Sequence, residues 1–566
     1  MQNKLCLSFA LASAIAMTSC SKMGGLSADN FTVTPSPLEA VGGKVPVTIN
    51  GHFPEKYMKK KAIVTVTPEL RYAGGAMSTT SATFQGEKVE NNHQSISYRV
   101  GGSYTMKANF TYIPEMVQSE LYLTFDAKKG KKTIKIPAVK IADGVISTSE
   151  LLKHTLATTQ TAIAADAYEH IIKQRQDANI KFLIQQANIR TSELKSTSIA
   201  DFIKTLKDIQ ADQERKALAN IEVSAYASPD GGMSLNEKLA AQREKNSAKY
   251  VAAQLKKNKM ATDVDTKYTA EDWEGFQELV SQSKIQDKEV IIRVLSMYKD
   301  PEEREKQIRN ISVAFRELAN EILPQLRRAR LSINYELIGR SDDEIQAQFK
   351  TDASKLSVEE ILYAATLTEN KAEQENIYEK TTQIYPNDYR AYNNLAAMAY
   401  AKGDKKEAKG YLAKANNLNA AAAETNINQG LIALSEGKAD VAQNFLSKGS
   451  GTKVTNEALG NLYIAQGNYA KAAQAMSGVK SNSAALAYLL NKDYASATTT
   501  LNSVATADAT TSYLKAIVAA RTGKTAEAMS NLKDAIRQDA SFATYAANDL
   551  EFKALAENSA FQSIVK

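Results

Sequence analysis

Residue types able to do chemistry are scarce in this chain of 566 residues, and their spacing argues against catalysis. The histidines are His52, His93, His154 and His170. None forms an i, i+4 pair or stands beside a carboxylate cluster, so a histidine zinc site or a Ser-His-Asp arrangement is excluded from everything after residue 170. The cysteines are Cys6 and Cys20, both close to the N-terminus. No G-x-S-x-G, P-loop, G-x-G-x-x-G or EF-hand spacing occurs. Asp263 and Asp265 flank Val264 in a strand-like stretch, which makes them solvent-facing charges and not a ligand pair. Lys59-Lys60-Lys61 reads as a solvated turn, with anionic lipid heads as the other reading, and Trp273 reads as core or a domain contact. The expectation is a protein that binds and does not catalyse, with no cofactor and no metal.

The elements that would position binding residues fall into three blocks. Hydrophobic content of 43% and charged content of 23% are ordinary for a folded chain and leave no room for long disorder. Net charge is +7, mild for this length, so nucleic acid is not an expected partner. From 29 to 147 short stretches such as VPVTI, AIVTVTP, TMKANFTYI and ELYLTFDA alternate apolar and polar residues. Turns such as Val41-Gly42-Gly43-Lys44 and Lys128-Lys129-Gly130-Lys131 separate them. This spacing predicts an antiparallel β-sandwich of immunoglobulin-like type, acting as a spacer or as a docking surface. From 148 to 340 the chain mixes strand patterns (IKFLIQQANI at 180–189, IEVSAYA at 221–227, ARLSINYEL at 329–337) with an amphipathic helix at 235–255. A linker is expected at 341–354, and 355–566 is almost wholly helical.

Ahead of these blocks, Lys4 and the apolar run Leu5 to Met17 have the form of a secretory signal, too short for a membrane span. Met17-Thr18-Ser19-Cys20 resembles a bacterial lipobox. That resemblance implies cleavage after residue 19, acylation of Cys20, and a lipidated linker over 20–28. The mature chain would then hold no free thiol. An acidic run after Cys20 resembles a surface-export signal in Bacteroidota-type lipoproteins. Ser21-Lys22-Met23-Gly24-Gly25 lacks it, which favours a protein facing the periplasm; the expected anchor is the outer membrane.

In the last block Gly403, Gly437, Gly467 and Gly523 each precede an alanine by five residues (Ala408, Ala442, Ala472, Ala528), and Ala497 adds a member without the glycine. Repeats of this period in helical sequence mean a solenoid of helix pairs. The unit from Tyr389 to Leu418, with Leu395, Ala396, Gly403, Ala408, Leu412 and Ala415, resembles the tetratricopeptide (TPR) family, as does the stretch at 458–476. The resemblance implies five or six units, the fourth shortened, a capping helix at 549–565, and a concave groove that binds protein partners.

IEVSAYASPDGGMSLNEKLAAQREKNSAKYVAAQL, with LRRARLSINYE further on, resembles the OmpA-like peptidoglycan-associated domain. Asn236, Leu239 and Arg243 match its helix pattern, and Arg327-Arg328 match its arginine pair. The family's loop aspartate falls on Ser228, with Asp230 two residues on as a substitute. The resemblance implies that Ser228, Asp230, Asn236, Arg243, Arg327 and Arg328 bind the diamino acid of a cell-wall stem peptide. The arginines would take its carboxylate and the acidic loop its ammonium; a salt bridge is the alternative role for Arg243. A helical stretch between Lys267 and Pro324 replaces the family's short loop. Together these readings imply a multidomain lipoprotein scaffold of an envelope assembly or secretion machine, contacting peptidoglycan through the OmpA-like domain. The alternative is a fimbrial or cell-surface assembly accessory that binds no cell wall.

Overall fold

The alternating stretches at the N-terminus form strands whose inward residues share one core. In the computed structural model, which describes residues 23–286, 288–310 and 316–566, Lys44–Phe53 buries every second side chain. It lies between Phe31–Thr34 and Gly102–Thr111 in an antiparallel three-stranded sheet. A seven-stranded sheet is built on the Ala62–Tyr72 and Ser119–Lys129 pair. Val45, Ile49 and Phe53 from the first sheet and Val64, Val66 and Leu121 from the second are fully buried in that core. Each such side chain contributes roughly 1.5–3 kcal/mol on leaving water. Cys20 and the expected signal lie outside the described residues.

The described residues divide into two compact units, 23–165 with 368–566, and 166–367. The first is a strand-rich region followed by a TPR-like helical array. Among the described residues the array has five helix pairs, beginning with Tyr389–Ala401 and Lys405–Leu418 and ending with Ala509–Arg521 and Thr525–Gln538. The alanines of the repeat (Ala408, Ala442, Ala472, Ala497, Ala528) are all fully buried, where a larger side chain would force the paired helices apart. Gly403, Gly437, Gly467 and Gly523 turn the chain at φ between 73° and 82°, a region that suits glycine. In the shortened fourth pair, Lys492 holds the corresponding turn at φ 65°. The C-terminal cap is not one helix over 549–565. It is a 3₁₀ turn, Leu550–Leu555, and a short helix, Ser559–Ile564, capped by Asn558.

The second unit carries a four-stranded sheet in the order Ile171–Lys181, Arg328–Ile338, Lys216–Tyr226, Val264–Thr269. The last two strands are parallel, joined through the helix Met233–Lys257, and the other pairings are antiparallel. Ile199, Phe202 and Leu206 of the helix Thr197–Ala211, with Val251 and Leu255 of Met233–Lys257, pack on Ile221, Val223 and Leu331 of the sheet. The stretch after Thr269 is helical, with its own core of Phe276, Val280, Ile291, Leu295 and Leu326. Trp273 packs at its edge, its Nε1–H donating to Glu271 at 2.9 Å.

Three boundaries differ from the sequence expectation. The first strand of this sheet ends at Lys181, so most of the stretch at 180–189 is loop. Its carbonyls are drawn off the sheet by the Arg243 and Asn246 side chains. Residues 341–354 contain the helix Asp342–Asp352 in place of a linker, started by a capping box of Ser341 and Glu344. It and the helix Val358–Ala364 belong to the second unit, where Arg340 pairs with Glu360 at 2.7 Å. Residues 148–165, expected with the α/β domain, belong instead with the helical array.

Candidate functional site

Two places concentrate polar side chains around an opening. The first lies where the strand Lys216–Tyr226 runs through the loop 227–232 into the helix Met233–Lys257. Asn236, Ala240, Arg243 and Ser247 recur at helical spacing and are the buried face of that helix. Arg243 is 1% exposed. Its Nε donates to the Gln186 carbonyl at 2.9 Å, Nη1 to Tyr226 at 2.9 Å and Nη2 to Leu183 at 3.3 Å. The guanidinium also lies 5.1 Å from the Phe182 ring centroid. Burial, reinforced by repulsion from Arg327, brings its pKa down to about 10, with Asp230 pulling the other way.

Asp230 stands in the loop and is engaged on both oxygens. Oδ1 accepts from the Ser228 hydroxyl at 2.6 Å, and Oδ2 accepts from Arg327 Nη2 at 2.7 Å. Arg327 Nε reaches Ser228 Oγ at 3.2 Å, so these three side chains close a ring of hydrogen bonds. Asn236 Nδ2 donates to the Gly231 carbonyl at 2.7 Å and fixes the loop to the start of the helix. Ser228, Asp230, Asn236, Leu239, Arg243 and Arg327 all line one cavity of about 40 Å³, whose wall includes Ile184 and Leu235. Holding one water takes about 10–15 Å³ of such space, so the cavity as it stands admits a few waters and not a diamino acid. Its charged lining is two guanidiniums against one carboxylate, which favours an anion.

Five of the six expected residues therefore meet at one pocket, and Arg328 does not. Its Nη2 donates to Asp272 at 3.1 Å, and Asp272 in turn caps the following helix by accepting from Gly275 N at 2.9 Å. Arg328 thus ties the helical insertion to the sheet. The alternative role for Arg243, a salt bridge, is not the one it takes: its hydrogen-bond partners are main-chain carbonyls. Sequence reasoning missed these carbonyls because nothing in local spacing brings residues 183–186 to residue 243.

The second place is the face lined by the first helix of successive pairs, the side expected to be concave in such an array, and residues of the same chain fill it. Leu151, Leu152 and Leu156 are buried in the array's core. After Ala157 the chain runs extended, burying Thr159, Ala162 and Ala164 while Ile163 is exposed. Asn428 Oδ1 accepts from Ala162 N and its Nδ2 donates to Ala162 O, both at 2.8 Å. Asn394 brackets Ala164 in the same way, at 2.8 and 3.0 Å. Asn393 adds a bond to Ala162 O at 2.9 Å, and Tyr400 OH donates to Leu156 O at 2.9 Å. Asn461 Nδ2 and Ser483 Oγ meet the Thr159 hydroxyl at 3.3 and 3.2 Å. Asn394, Asn428 and Asn461 recur about one repeat apart in the sequence, a signal that the leucines and alanines of the repeat obscured.

Among the described residues no group of three or more His, Cys, Asp or Glu is placed to hold a metal, and no helix is long and apolar enough to cross a membrane. No protein-family model matches the chain, and no curated protein matches it. Solved structures that overlap it include a tetratricopeptide repeat protein from Parabacteroides merdae, at 14% identity over 35% of this chain and 85% of that one, TM-score 0.28. PilF of Pseudomonas aeruginosa overlaps at 16% identity over 40% of this chain and 98% of its own, TM-score 0.26. PilW, described as a widely conserved type IV pilus biogenesis factor, does so at 12% over 38% and 100%, TM-score 0.28. Overlaps this loose carry no weight for function; the helix pairs and their buried alanines define the repeat.

Proposed function

We propose that this chain is an exported, lipid-anchored scaffold that works by binding and not by catalysis. In this reading Cys20 carries the acyl chains, and the protein faces the periplasm from the outer membrane. The strand-rich region is an immunoglobulin-like sandwich and the unit over 166–367 is an OmpA-like module with a helical insertion. The array serves protein partners of an envelope assembly or secretion machine. The pocket at Arg243 takes the stem peptide of peptidoglycan.

The observation that carries the cell-wall contact is the convergence of Ser228, Asp230, Asn236, Arg243 and Arg327 from separate segments on one cavity with a surplus of positive charge. A carboxylate entering there would replace Asp230 as the acceptor for Arg327, and the freed Asp230 would take the ammonium. Entry requires the loop 229–232 to move, because the cavity as it stands has room for water alone.

One observation favours the other reading, a fimbrial or cell-surface assembly accessory without cell-wall affinity. Arg243 is spent on three main-chain carbonyls, which makes it a structural tie of the module. Sedimentation with purified sacculi separates the two. The cell-wall reading expects the chain to pellet and Arg327→Gln to stay largely in the supernatant. A wild-type chain that stays in solution selects the accessory reading.

A further inference from the structure

We infer that the concave face of the array is a main-chain-reading receptor for extended protein segments with small side chains, and that residues 158–165 are its resident, tethered ligand. An outside partner then enters only by displacing them. The inference builds on the partner-binding reading of the array and names what that partner must look like.

The recognition chemistry is visible in the resident segment. A carboxamide that accepts from the N–H and donates to the C=O of one residue reads the main chain and ignores the side chain. Asn428 and Asn394 do this at alternate residues, Ala162 and Ala164, which requires an extended backbone. Selection by side chain comes from burial. Ala162 and Ala164 are 3% and 1% exposed against the array, so only small residues fit at those two positions, while the residue between them faces outward. The fitting partner is therefore an extended protein segment with Ala, Gly or Ser at positions i and i+2.

A second observation argues that the resident segment can be outcompeted. At its Thr159 end the groove holds a buried acceptor that the segment leaves unused. Asn461 meets the Thr159 hydroxyl through Nδ2, while its Oδ1 is buried without a hydrogen-bond partner among the described residues. A segment bringing an N–H donor to that end would satisfy an oxygen that residues 158–165 do not. The resident ligand holds its place through tethering, since a short linker supplies an effective concentration of order mM.

The test uses the full chain and a fluorescein-labelled peptide of residues 157–167. In a variant carrying Ala162→Arg and Ala164→Arg, the bulky cations exclude the resident segment. That variant should bind the peptide at least tenfold more tightly than the unaltered chain in fluorescence anisotropy. Adding Asn394→Ala and Asn428→Ala should abolish the gain. Equal affinity in both chains, or a gain that survives loss of both asparagines, overturns the proposal. Should the arginine variant fail to fold, hydrogen exchange on the unaltered chain decides. Excess peptide should accelerate exchange at the Ala162 and Ala164 amides, and unchanged exchange at saturating peptide overturns the proposal. Partners recovered by crosslinking from a chain that binds no peptide would leave the scaffold reading standing while this one falls.

Discussion

Asn428 and Ala162 make two hydrogen bonds to each other, with both the N–H and the C=O of Ala162 bracketed at 2.8 Å by one carboxamide. The pair joins the segment that follows the strand-rich region to the second helix pair of the array. It keeps the groove occupied in the resting chain.

That relationship sets the first prediction. Asn428→Ala leaves the Ala162 N–H buried without an acceptor, a loss of about 1–3 kcal/mol. Urea unfolding should show a lower midpoint of that size with an unchanged slope. A change below about 0.5 kcal/mol would mean that the groove is open to water at this position.

A second prediction concerns the turn of the fourth helix pair. Lys492 sits at φ 65° where four other pairs use glycine, and a non-glycine residue there costs roughly 1 kcal/mol. Lys492→Gly should raise stability by up to about 0.5 kcal/mol, because the entropy that glycine loses on folding takes back about 0.5–1 kcal/mol of the relieved strain. Thermal unfolding reads it, and a fall in Tm would contradict the strain at this turn.

Much of the architecture was legible because it obeys short periods. Alternation marked the strands of the first core, and the Gly-to-Ala spacing marked the helix pairs with their left-handed turns at Gly403, Gly437, Gly467 and Gly523. Asn236 and Arg243 were recognisable through the resemblance to the OmpA-like helix pattern, and both lie on the buried face of one helix. What escaped depends on distant partners. Residues 158–165 have no period of their own beyond small alternate side chains, and only the asparagines of the array make them a ligand. The helix Asp342–Asp352 was hidden by its polar composition, although Ser341 and Glu344 announce its start. Arg327 and Arg328 look alike in sequence and part company only because Asp230 and Asp272 lie in different directions.

The buried tie at Arg243 gives a third prediction. Arg243→Ala removes donors from three main-chain carbonyls and opens a large void, so the second unit should lose more than about 3 kcal/mol. Arg243→Lys should rescue little, since an ammonium lacks the planar fork that spans three acceptors. Asp230→Asn keeps one oxygen to accept from Arg327, so it should cost less than Arg243→Ala. Limited proteolysis of the three variants orders them, and an Arg243→Ala chain as resistant as wild type would refute the tie.

Asp549 supplies a pH prediction. Burial, with the charge of Glu551 adding to it, raises its pKa from the ordinary 3.8 to about 6, while Tyr513 donates to its Oδ2 at 2.7 Å. Arg521 pulls the other way, and Tyr545 and Glu551 complete the titratable surroundings. The folded state holds the proton more tightly than the unfolded one. The contribution is therefore full below pH 3.8 and is lost as pH rises through about 6. The span corresponds to about 2–3 kcal/mol. Asp549→Asn should flatten this part of the stability profile, and a profile parallel to wild type between pH 4 and 6 would rule the assignment out.

The most direct measurement is calorimetric titration of a soluble stem peptide carrying the diamino acid into the full chain. Binding should weaken at least tenfold in Arg327→Gln, whose lost guanidinium is the carboxylate's partner, with the variant checked to be folded by its unfolding curve. No heat from the wild-type chain, or equal affinity in the variant, would contradict the cell-wall contact.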